Sequence, residues 1–311
     1  MRISGQIRQL RIRLVQSAVL QDFRYDLSTR TMTPKTILDN LVFPEGPRWH
    51  DGALYFSDMH DGIVWRLTPE GAATKILELP TLPSGLGWAP DGSLHVVSML
   101  DRRFLRVTSN GPSMVADLSS HAPHPINDMV IDAQGRAYIG TFGCDLNNGE
   151  SPRPTKLFCV YPGGVVKVAA DELLFPNGAV ITPDGKALIV AETFGSRLTA
   201  FDIASDGSLY NRRLFAQLEG TFPDGICIDE ECAVWVSSAG GNKVIRVAPG
   251  GRITDTISLP DRNAYACMLG GADRRDLYIC TAKHFLPERT RTLRSGRIEV
   301  VQVAVPGAGL P

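Results

Sequence analysis

Three tetrapeptides in this chain, FPEG at 43–46, FPNG at 175–178 and FPDG at 222–225, share a frame in which only the third place varies. That place holds Glu45, Asn177 and Asp224, and Asn127 in the stretch PIND adds a fourth side chain of the same kind. Two carboxylates and two amide carbonyls offer oxygen alone, which suits a hard divalent cation: calcium first, then magnesium or manganese. Zinc usually prefers nitrogen and sulfur, although oxygen ligands do not exclude it. A cation held this way polarises a carbonyl oxygen and lowers the pKa of bound water, and a neighbouring carboxylate can act as the base. Taken singly, Asn, Asp and Gly before a strand are ordinary turn residues that bond their own backbone. The chemistry is available only if the fold brings the four together.

The elements that could do so repeat. Six turns, each followed by an apolar run rich in β-branched and aromatic residues, are DGALYFSD from Asp51, DGSLHVVS from Asp91, QGRAYIGT from Gln134, DGKALIVAE from Asp184, ECAVWVSS from Glu231 and RRDLYICT from Arg274. A second strand-like run follows each within hairpin distance, as in IVWRLTPEG and KVIRVAPGG. The second residues of the turns are Gly52, Gly92, Gly135, Gly185, Cys232 and Arg275, so the period lies between 40 and 50. Strands at that period, with no amphipathic helical stretch between them, predict an all-β, six-bladed β-propeller of four-stranded blades around a central channel. The propeller is expected over 35–311, with 1–34 as a poorly ordered N-terminal extension. The insertion CDLNNGESPRPTK, at 144–156, is expected in a surface loop.

Counting back eight residues from each turn position gives Ser84, Asn127, Asn177, Asp224 and Cys267, and seven in the first blade gives Glu45. Matched positions of a propeller repeat are related by rotation about the axis, so the six should ring one mouth of the channel. On this reading the metal site stands at that mouth.

Composition sets the limits. The chain has 311 residues, 43% hydrophobic and 21% charged, an ordinary balance for a water-soluble domain with a sizeable core. A net charge of -1 without long runs of one sign gives no footprint for nucleic acid or an anionic membrane. The apolar runs are too short to span a bilayer. Six cysteines without a CxxC pair, among them Cys159, Cys227 and Cys280 in strand-like runs, read as reduced thiols of a cytoplasmic protein. The first 31 residues hold six arginines and no lysine, and they lack the unbroken apolar stretch of a secretory signal. Met32, just before the patterned region, is an alternative start.

FPEGPRW, PINDMVIDAQGRAYIGTFG, FPNGAVITPDGKALIVAE, FPDGICID and CMLGGADRRDLYICTA together resemble the regucalcin (senescence marker protein) and gluconolactonase family. The resemblance extends over nearly everything from Leu38 onward. It implies a six-bladed propeller that hydrolyses lactones with a divalent metal, with distant kinship to diisopropylfluorophosphatase-type phosphotriesterases. Carried over by position, it implies Glu45, Asn177 and Asp224 as metal ligands and Asp224 also as the catalytic base. Asn127 would contact substrate or complete the metal shell, and Asp128 would act behind them. Sugar-lactone members carry an arginine two residues before the Asn-Asp pair; this chain has Pro125 there, which puts carbohydrate specificity in question. The implied partner is a small lactone or ester.

No GxSxG, HExxH, Walker or GxGxxG motif is present in the sequence. A non-catalytic ligand-binding propeller and a metal-dependent phosphotriester or other ester hydrolase remain the alternatives, since fold alone does not decide function. His121 and His124 in HAPH read as solvated loop residues, and His60 either lines the mouth or caps a hairpin. Trp49, Trp65, Trp88 and Trp235 read as core or inter-blade packing.

Overall fold

Asp51 and Gly52, with φ of 45° and 71°, join Pro44–His50 to Ala53–Asp58 in a two-residue turn. Positive φ at both central residues gives the turn whose twist matches that of the flanking strands. The other five turns are longer, and each again reverses the chain between antiparallel neighbours. The computed structural model describes residues 32–146 and 148–309, so the expectation for the N-terminal extension lies, as far as Thr31, outside the described residues.

Six four-stranded antiparallel sheets result. Five are continuous in sequence, spanning 44–78, 83–117, 126–173, 176–217 and 223–258. The sixth combines Asn263–Gly270, Asp276–Ala282 and Gly296–Gln302 with Lys35–Leu41 as its outermost strand. Lys35 pairs with Val300 and Leu41 with Gly296, so the two ends of the described chain are sewn into one blade. Circular closure leaves only short, protected strand edges. The fold is the six-bladed all-β propeller that the period predicts. Helix among the described residues is confined to Pro287–Leu293 and a 3-10 turn at Met59–Asp61. No helix among them is long and apolar enough to cross a membrane.

Packing between blades accounts for the apolar runs. Leu54, Phe56, Trp235 and Ile279, from the first, fifth and sixth blades, are almost wholly buried in one cluster. Burying such a side chain contributes about 2–3 kcal/mol. Trp49 and Trp65 pack against the same cluster, and Trp88 stacks on His50 at 4.1 Å, so all four tryptophans serve packing. All six cysteines are free, with Cys232 half-buried and the others buried. The 144–156 insertion lies at the surface over residues 148–154, which are exposed, while at its start Cys144 is buried and Leu146 reaches the central cavity.

Candidate active site

Glu45, Ser84, Asn127, Asn177 and Asp224 are each the second residue of an innermost strand. In each case the preceding residue pairs with the end of the second strand, as Pro44 with Asp58, Ile126 with Thr141 and Pro176 with Glu192. The equivalent pair in the sixth blade is Ala264 with Thr281, which puts Tyr265 in the ring. Cys267, expected there from the spacing, is instead buried in the core beside Cys227, with the two Sγ atoms 3.9 Å apart. The sixth innermost strand is eight residues long and carries a register shift between Ala264 and Ala266, so counting back eight stops two residues short.

Each part of the Phe-Pro-x-Gly frame now has a physical role. Proline opens the strand, where its missing N–H costs no ladder bond. Glycine lets adjoining innermost strands meet backbone to backbone: a Cβ on Gly178 would stand 2.6 Å from both Asp224 O and Ile226 N. The first residue builds the wall above the ring. The carbonyls of Phe43, Leu82, Pro125, Phe175 and Phe222 accept the N–H groups of Met59, Met99, Phe142, Thr193 and Ala239 at 2.9–3.1 Å. Nine of those ten residues, all but Pro125, line one cavity at the mouth of the channel. Leu82 and Phe175 reach their places with φ of 66° and 60°, a left-handed backbone that bulky residues rarely adopt.

The cavity, about 330 Å³, has the polar ring as its floor. A chain of hydrogen bonds crosses four blades. Ser84 Oγ donates to Asn127 Oδ1 at 2.8 Å, Asn127 Nδ2 to Asn177 Oδ1 at 2.8 Å, and Asn177 Nδ2 to Asp224 Oδ1. Asn177 Nδ2 also donates to Thr193 Oγ1 at 3.2 Å, and Thr193 passes its own proton to Pro223 O at 2.8 Å. Glu45 takes the Gly46 N–H at 3.0 Å. Asp128 lies outside the cavity lining, paired with buried Arg48 at 3.0 Å; that guanidinium also donates to the Pro47 and Met129 carbonyls.

Burial, helped by the Asp128 charge, pushes the Glu45 carboxyl up to about 8. Asp224 is raised well above the carboxylate range by burial first, then by the Glu45 and Asp128 charges. No lysine or arginine is among the cavity-lining residues. Two buried carboxylates that face a cavity without a protein cation form an electrostatic gap that a divalent ion fits. The neighbouring donors fit as well, because Asn177 Oδ1 accepts one hydrogen bond and keeps a second lone pair.

Some contributors escaped the sequence pattern. Asp58, at the end of its strand, takes the Val42 N–H at 3.0 Å and the Phe43 N–H at 2.6 Å, pinning the chain that delivers Glu45. Burial raises its carboxyl to about 6 against the pull of those donors. Glu192, in the matching place, takes the Leu174 N–H at 2.8 Å and is paired with Arg197. An acid closing the second strand, as in YFSD and IVAE, was the available signal. His60 lines the cavity, stacked on Phe43 at 4.6 Å, while His124 and His121 lie outside it.

Residues 43–283 match the family described as the SMP-30/gluconolactonase/LRE-like region. The 6-deoxy-6-sulfogluconolactonase of Pseudomonas putida is 28% identical over 87% of this chain and 94% of its own length. Rabbit (Oryctolagus cuniculus) regucalcin is 26% identical over 79% of this chain and 85% of its own. A solved calcium-binding regucalcin from Agrobacterium tumefaciens superposes with a TM-score of 0.76 at 20% identity, covering 90% of this chain and 97% of its own, a likeness of fold. The strands, the ring at the channel mouth and this match over most of the propeller agree: the chain belongs to the SMP-30/gluconolactonase/LRE-like family.

Proposed function

We propose that this chain is a divalent-metal-dependent lactone hydrolase, with Glu45, Asn177 and Asp224 holding the ion and Asn127 meeting the substrate. The observation that carries the reading is the pair of buried carboxylates, Glu45 and Asp224, at the floor of a cavity whose lining includes no lysine or arginine. Family membership and the lactonase name of the Pseudomonas relative support it. When bound, the ion supplies Lewis-acid polarisation of a carbonyl and acidification of water; calcium is the first choice on an all-oxygen donor set.

The chain's own groups do the rest. Asp224, ionised in the loaded site, takes the proton of the water that attacks the lactone carbonyl. It returns that proton to the ring oxygen as the C–O bond breaks, so the product is the hydroxy acid and the base is restored. Asn177 fixes one Asp224 oxygen by hydrogen bonding, which aims the other. Asn127 is steadied by Ser84 on one side and Asn177 on the other, and its amide meets the substrate's polar ring. The apolar wall keeps bulk water from the reacting carbonyl.

The test is a panel of lactones, aryl esters and phosphotriesters assayed before chelation, after it, and after return of calcium, manganese, magnesium or zinc. Lactone turnover that falls on chelation and returns with one ion supports the reading. Lactone turnover by metal-free protein at the loaded rate overturns the metal dependence, and phosphotriester turnover without lactone turnover overturns the substrate assignment.

A further inference from the structure

The wall of the cavity speaks to the substrate that the floor would act on. We infer, building on the lactonase reading, that the site takes lactones carrying an unbranched alkyl substituent, with the ring on the polar floor and the chain along the wall.

Eight of the nine cavity-lining residues fixed by the five carbonyl bonds are apolar, with Thr193 the exception. Six of the chain's twelve phenylalanines line the cavity. A polyhydroxy lactone needs a partner for every hydroxyl that leaves water, because an unpaired buried hydroxyl costs more than its bond returns. The polar groups above the floor are largely turned to the protein. Thr193 Oγ1 donates to Pro223 O and accepts from Asn177, and His60 Nδ1 is bonded to Thr290 Oγ1 at 2.8 Å.

The rim continues the same surface outward. Leu100, Phe222 and Phe285 line the cavity yet are 48%, 44% and 53% exposed, so apolar contact extends from the floor to the opening. Large half-exposed apolar side chains around one opening mark a binding surface. A substituent longer than the cavity depth can therefore leave along the rim without leaving apolar contact.

The experiment compares three six-membered lactones: glucono-1,5-lactone, unsubstituted δ-valerolactone and δ-decalactone with its pentyl chain. Each methylene taken from water is worth about fourfold, so a pentyl chain with three or four of its carbons seated should raise kcat/KM about 100-fold over δ-valerolactone. Gluconolactone should be the poorest of the three. Phe222→Ser and Phe285→Ser, at half-exposed positions that leave the core untouched, should each cut the δ-decalactone to δ-valerolactone ratio about tenfold. Calorimetry of the corresponding lactams with purified protein reads the pocket without turnover, and the pentyl lactam should bind more tightly than gluconolactam. Equal or inverted preference in both assays overturns the alkyl assignment while leaving lactone hydrolysis in place. If no lactone is turned over with any ion, the lactonase reading fails alone, and the lactam affinities still decide what the wall prefers.

Discussion

Replacing Asp224 separates its two proposed duties. The side chain is buried at the cavity floor, takes one amide hydrogen bond from Asn177, and has its proton affinity raised by burial and by Glu45. Asp224→Asn keeps the shape and an oxygen that can still accept from Asn177, but removes the charge and the basicity. Loss of a positioned base alone costs about 10²–10⁴ in rate. Changes behind the ligands typically cost 10–100-fold in metal affinity, so loss of a charged ligand should weaken binding at least about 100-fold. Asp224→Asn should therefore bind metal weakly and turn over lactone at about a thousandth of the parent rate or less. Asp224→Ala removes the oxygen too and should retain no stoichiometric metal after gel filtration. Ser84→Ala, in the same ring but outside the proposed ligand set, leaves Asn127 its bond to Asn177 and should keep the metal and most activity. The lost Ser84 bond costs about 1 kcal/mol, a fall of about 2–4 °C in melting temperature for a domain of this size. Metal is counted by elemental analysis and turnover followed by proton release. Stoichiometric metal in Asp224→Ala would refute the ligand assignment.

Other outcomes follow from the same geometry. Because Glu45 is raised from 4.5 to about 8, its ionisation disfavours the metal-free fold, and that cost grows as pH rises from the lower value to the higher. An ion that displaces this proton should bind at least about tenfold more tightly per pH unit from about pH 5 to 8, and more steeply where the raised Asp224 proton leaves with it, which competition against a fluorescent chelator measures. A flat profile would show that Glu45 is not a ligand. Asp58→Ala leaves the buried Val42 and Phe43 N–H groups without their acceptor and should cost about 2–4 kcal/mol with weaker metal binding, read by denaturant melts and metal titration. Asp58→Asn retains an acceptor oxygen and should lose less. Pro125→Arg, just outside the cavity lining and two residues before Asn127, gives a long cationic side chain the reach to enter the mouth and should move the kcat/KM ratio of gluconolactone to δ-decalactone toward the sugar by about tenfold; an unchanged ratio would remove this position from specificity.

The repeat made much of this protein legible in one dimension. A turn every forty to fifty residues, each before a β-rich run, determined the blade number, because identical local chemistry at a fixed period folds into identical units. The same period singled out Glu45, Asn127, Asn177 and Asp224, since rotation about one axis carries matched positions to one mouth. Where the period broke, counting failed: a longer strand with a register shift replaced Cys267 by Tyr265 in the ring. Other features belonged to the closed ring alone. Lys35–Leu41 completes the sixth blade only because closure brings it beside Gly296–Gln302, a pairing across more than 250 residues. Part of the wall was equally hidden, because Leu146 and Phe285 sit in connections of different lengths that no shared spacing relates. Strand alternation and turn chemistry act over a few residues, whereas the loops that meet over the axis are selected by the geometry of all six blades at once. Local pattern thus determined the oxygen-bearing floor, and tertiary closure decided the apolar chamber above it.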